Sequence, residues 1–161
     1  MIRIFTAITK YLTLIFMALY TFKCFSYFVA KNKKKRTSNL NKQVFYIFAI
    51  HLMCYMKLFL WKHELKFVLF YLSQVFVCVM YMVIFHQCYK NVSRLITNNM
   101  VFLLMIGYIM LTRLDFQLAI RQAVMGTGAL FATSFIPFIL RRLKNIRKWN
   151  VFFGVTGLMF L

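Results

Sequence analysis

Only two of the 161 residues are acidic, Glu64 and Asp115, against 21 lysines and arginines. Charged residues of both signs make up 14% of the chain and hydrophobic ones 63%, where a soluble domain averages about 25% and about 45–50%. So little polarity cannot cover the surface of a water-soluble fold, and that class is excluded. Catalysis by paired carboxylates needs two acids within reach of one substrate, and Glu64 and Asp115 stand in different connecting segments. The four cysteines (Cys24, Cys54, Cys78 and Cys88) include no C-x-x-C pair, so they read as small buried hydrophobes and not as a disulfide or metal framework. His51, His63 and His86 have no helical i, i+4 partner of metal-binding type, so no metal site is expected. Nucleophilic triads and phosphate-cradling glycine loops are missing, and nothing in the chain identifies a cofactor.

What is present is a series of long apolar runs. They predict an all-α fold, a polytopic transmembrane helix bundle with spans at about 11–30, 43–61, 67–85, 98–112 and 123–140 and a sixth begun at 149–161, given that about 20 apolar residues cross a bilayer. The first run reaches Ala30 and lacks an A-x-A cleavage pattern, so it reads as a span and not as a removable signal. Lys23 lies close enough to one end of that span to snorkel to the headgroups. The run at 98–112 is short for a span, which suggests little tilt or a thinned bilayer. Gly126, Gly128 and the single proline, Pro137, fall in the fifth run, where membrane helices tolerate them. The sixth run offers too few residues to cross about 30 Å of hydrocarbon. Residues 1–161 are therefore expected to be the N-terminal membrane part of a larger polytopic protein.

The formal charge of +19 raises the question of a nucleic-acid partner. The basic residues stand in short runs between apolar stretches, as membrane-flanking residues do, so anionic lipid headgroups are the expected partner and nucleic acid is not. KNKKKRTSNLNK (31–42), the segment around Lys90 and Arg94, and RRLKNIRK (141–148) place 13 lysines and arginines on one side, against 6 on the other from Arg3, Lys10, Lys62, Lys66, Arg113 and Arg121. The positive-inside rule then makes the first side cytoplasmic and the N-terminus external.

The 29 phenylalanines and tyrosines and 11 methionines fit membrane interfaces and irregular helix packing better than a ligand-stacking surface. His51, four residues from Tyr55, fits a polar contact between helices. The segment MLTRLDFQLAIRQ (110–122) stands out, because charges are interspersed with apolar residues. If 114–120 forms a short interfacial helix, Leu114, Leu118 and Ala119 share its apolar face. By itself this is an outer connection between two spans.

IGYIMLTRLDFQLAIRQ, residues 106–122, resembles the first core span and following outer loop of the FtsW/RodA/SpoVE (SEDS) family. Gly107, Arg113, Leu114, Asp115, Ala119, Arg121 and Gln122 match the family pattern in order. SRLITNNMVFLL and the opening YLTLIFMALYTFKCFSYF are similar to clostridial members, which carry extra spans ahead of the core. The resemblance implies a peptidoglycan glycosyltransferase that polymerises lipid II outside the cytoplasmic membrane, beside a class B penicillin-binding protein, in cell division or the control of cell shape. The family's essential carboxylate lies in a large outer loop further along, so no catalytic residue is assigned to this chain. The seven matching positions are expected to be structural. The alternative expectation is a small non-enzymatic membrane protein, such as an accessory subunit or transporter fragment.

Overall fold

A computed structural model describes residues 2–89, 93–142 and 156–159. Five helices account for nearly all of them: α1 (Ile2–Val29), α2 (Lys33–Lys62), α3 (Leu65–Cys88), α4 (Arg94–Leu114) and α5 (Phe116–Arg142). Stretches 5–29, 33–62, 65–88 and 94–114 are each long and apolar enough to cross a membrane. No strand occurs among the described residues.

The connections are so short that consecutive helices run antiparallel. One end of the bundle carries the start of α1, His63 and the α4–α5 junction. The other carries Lys33, the end of α3 and the start of α4. α2 lies against α1, α3 and α4, and α5 packs on α3 and α4. The buried residues of α2 (Leu40, Gln43, Ile47, Ile50, His51, Tyr55 and Leu58) recur every three or four positions. Leu95, Asn98, Val101, Met105, Tyr108 and Thr112 do the same along α4. This 3–4 spacing defines a narrow seam on each helix, the geometry by which neighbouring helices interlock. Tyr20, Ile47, Cys78, Val101, Met105 and Leu130 meet in the middle.

Phe22, Phe25, Phe28, Leu69, Phe76 and Leu103 are all exposed on the outside, while Gln43, His51, Gln74, Asn98 and Thr112 are buried. That is the reverse of a water-soluble domain, and it is the arrangement a hydrocarbon solvent selects.

Three expectations from the sequence are corrected. Residues 33–42, read as a polar connection, are the first turns of α2. Lysine, arginine and leucine are good helix formers, and this stretch has no glycine or proline to stop them. Arg36 Nε also donates to the Ala30 carbonyl oxygen at 2.8 Å, and Asn39 Nδ2 to Ser26 Oγ at 3.1 Å, pinning the turn to the end of α1. With 30 residues, α2 extends about 45 Å, well beyond the hydrocarbon thickness. Hydropathy marks where a chain leaves the hydrocarbon, not where its helix ends.

The second correction concerns the fourth run, which is not short. α4 begins at Arg94, and Thr97 and Asn98 are buried despite their polarity, Asn98 against α2. The third concerns 114–120, which is no separate interfacial helix. α4 ends at Leu114, α5 begins at Phe116, and Asp115 alone stands between them. Leu114 and Leu118 are exposed, whereas Ala119 is completely buried, so the three share no common environment.

The break expected at 62–66 narrows to two residues. His63 adopts a left-handed conformation (φ 52°, ψ 31°), and its N–H donates to the Phe59 carbonyl oxygen at 2.7 Å. This ends α2 as glycine commonly ends a helix. Glu64 forms an ion pair with Lys66 at the start of α3. The fifth expected run lies within the 27-residue α5. Most of the expected sixth, 149–161, and most of the basic segment 141–148 lie outside the described residues.

Candidate functional site

Polar side chains that sit in the apolar runs meet along the α2–α3–α4 seam. Gln74 Oε1 lies 3.0 Å from both His51 Nε2 and the Tyr55 hydroxyl. Tyr55 is 2.9 Å from Thr112 Oγ1, which donates to the Tyr108 carbonyl oxygen at 2.6 Å. The rings add to the lock: His51 packs at 4.8 Å from Tyr55 and 5.0 Å from Tyr71. The expected polar contact of His51 is therefore present, with Gln74 as its partner.

The count of hydrogens constrains this cluster. Thr112 has one hydroxyl hydrogen, given to the Tyr108 carbonyl. Tyr55 has one, and it cannot serve both Thr112 and Gln74. Turning the Gln74 amide over exchanges Oε1 and Nε2 at the same positions. Its NH2 group then donates to Tyr55 and to His51, and all four contacts hold a hydrogen. Before that turn Gln74 Nε2 has no partner, and neither has His51 Nδ1.

A second polar group lies nearer the Lys33 end. Asn98 Nδ2 reaches Gln43 Oε1 at 3.2 Å and the Leu40 carbonyl oxygen at 3.3 Å. Its neighbour Asn99 accepts from the Tyr20 hydroxyl at 2.5 Å, joining α4 to α1. Buried amides and hydroxyls tie helices together where hydrocarbon offers no alternative partner. Neither group pairs a nucleophile with a general base. No cluster of three metal-ligating side chains forms among the described residues. All four cysteines are free thiols, with Cys78 the most buried.

Gln43, Gln74, Asn98, Asn99 and Thr112 were not singled out from the sequence. A signal was there: Gln43, Asn98 and Thr112 fall on the 3–4 rhythm of their helices' buried residues.

The seven family-pattern residues do not gather into a site. Gly107 is exposed on α4, with open space where a side chain would be. Arg113 and Leu114 close α4, both exposed. The Asp115 carboxylate accepts from the backbone N–H of Gln117 at 2.7 Å and of Leu118 at 3.3 Å, so it caps the start of α5. Capping satisfies two of the four N–H groups a helix start leaves unpaired. Phe116 packs on Phe67 and Phe70 of α3, with ring centroids 5.3 and 5.2 Å away. Ala119 is buried beside this contact region of α5, and Arg121 and Gln122 are exposed. The shared feature is a tight corner between two helices.

Fold and composition define the class: an α-helical membrane protein with a polar interior seam. Comparison with protein-family models, curated proteins and solved structures finds no match.

Proposed function

We propose that residues 1–161 form the N-terminal membrane part of a SEDS peptidoglycan glycosyltransferase of the bacterial cytoplasmic membrane. In this reading the N-terminus is external, five spans are complete within the chain and a sixth begins near Trp149. The full protein polymerises lipid II with a class B penicillin-binding protein, in cell division or the control of cell shape. The observation that carries the reading is the run 106–122, whose order of glycine, R-L-D, alanine and R-Q resembles the family's first core span and outer loop. The compact Asp115 corner is compatible with a structural role for those positions. Catalysis is assigned to none of them.

The test starts from the reading frame beyond Leu161. The expectation is further apolar spans and a long outer loop containing an aspartate. The product of that frame, purified with its class B partner and given lipid II, yields glycan strands visible on a gel. A continued protein that leaves lipid II unpolymerised beside its partner refutes the proposal, as does a frame without further spans.

A further inference from the structure

A cavity of about 630 Å³ lies between α1, α2 and α4 at the His63 end and borders the seam at Leu58. Lys10 of α1, Lys57 of α2 and Arg113 of α4 line it, together with Leu58, Trp61 and Met110. Lys57 stands five residues before the end of α2 and Arg113 one before the end of α4. Lys10 stands eight residues after the start of α1, so at 1.5 Å per residue the charges spread through about the outermost 12 Å of the bundle, from which long side chains reach the headgroups.

None of the three forms an ion pair among the described residues. The sequence has only two carboxylates; Glu64 pairs with Lys66, and Asp115 is occupied with the amides that open α5. Three like charges around one partly apolar cavity repel one another, and an anion seated among them removes that cost. The walls say which kind of anion. Leu58, Met110 and Trp61 suit the glycerol and first methylenes of a lipid, and tryptophan favours this depth. Lys34 and Lys42 at the opposite end line a cavity with Lys23, Leu19, Phe22 and Phe45, but no tryptophan stands among its walls.

We propose that this cavity binds the phosphate of an anionic lipid headgroup, held by Lys10, Lys57 and Arg113 with the upper acyl chain against Trp61. The site is independent of the polymerase reading and holds whether or not that reading does.

Trp61 supplies the probe. Within residues 1–161, Trp149→Phe leaves it the only tryptophan. The protein is placed in bilayers of phosphatidylcholine and phosphatidylglycerol, one of them brominated on its acyl chains, and quenching gives the relative affinity at Trp61. The expected preference for phosphatidylglycerol is at least about fivefold, what a single cation contributes at about 1 kcal/mol near the surface. Lys10→Gln, Lys57→Gln and Arg113→Gln together bring it to about one. Lys35→Gln, Lys66→Gln and Arg121→Gln, which remove equal charge outside the cavity, leave it unchanged. Lys10→Arg with Lys57→Arg also preserves it, which separates lost charge from lost folding. Equal preference in the cavity and control variants overturns the proposal. So does loss of the preference on adding millimolar inorganic phosphate, which would make the site one for a free anion.

Discussion

Replacing Gln74 with leucine tests whether the seam cluster acts as one unit. Leucine keeps much of the side-chain volume and removes both polar atoms. His51 loses its Gln74 contact at 3.0 Å, and Tyr55 keeps only Thr112. Side-chain hydrogen bonds between membrane helices are worth about 0.6 kcal/mol on average and about 1.7 at most. Two lost contacts therefore cost about 1–2 kcal/mol, and stranding the buried His51 ring adds to that. Removing the amide's own desolvation works the other way, so the expected net loss is about 1 kcal/mol. The coupling is more diagnostic than the net value. Tyr55→Phe alone breaks contacts to both Gln74 and Thr112, and the double variant loses the Gln74–Tyr55 contact only once. The double variant is therefore expected to be less destabilised than the sum of the singles, by about 0.5–1 kcal/mol. Reversible unfolding in mixed micelles, titrated with sodium dodecyl sulfate and followed by near-ultraviolet circular dichroism, measures all three. A coupling below about 0.3 kcal/mol, within the scatter of independent sites, refutes the connected cluster.

Gly126→Ala puts a methyl group where the Tyr108 hydroxyl now lies; a loss of about 1–3 kcal/mol is expected from this overpacking, and adding Tyr108→Phe should restore part of it in the same assay. Asp115→Ala removes the cap on α5 and should cost about 1 kcal/mol, while Asp115→Ser retains most of it; hydrogen exchange at Gln117 and Leu118 reports the change locally. His63→Gly should stabilise the α2–α3 turn by about 1 kcal/mol, since glycine adopts positive φ without steric cost, and His63→Val should destabilise it. Equal stability of the glycine and valine variants would count against the left-handed turn.

The membrane class and the positions of the apolar runs were legible because burial in hydrocarbon depends on composition averaged over about 20 residues. Helix limits were not. Lys33–Lys42 looks like a loop on hydropathy, yet its lysines, arginine and leucine are good helix formers and it is tied back to α1 through Arg36 and Asn39. Asn98 looks like the edge of a run, yet it is buried because Gln43 and the Leu40 carbonyl receive it. The two Asn98 pairings join residues 58 and 55 positions apart, and no local pattern encodes them. His51 was legible as a helix contact, but its partner on α3 was not. Lys10 and Arg113 were counted as span-flanking charges and Lys57 was not counted, since their common cavity depends on how α1 and α4 flank α2.

The Asp115 corner joins α4 to α5 with no slack. If α5 is drawn along its axis by a single residue rise, about 1.5 Å, the strain has only one linking residue to absorb it. Either the carboxylate releases the amides of Gln117 and Leu118, or Leu114 and Arg113 follow. Arg113 lines the cationic cavity, so a pull on α5 reaches the place where Lys10 and Lys57 also converge. The corner is thus a short mechanical lever, linking whatever grips α5 to the charge spacing at the membrane surface.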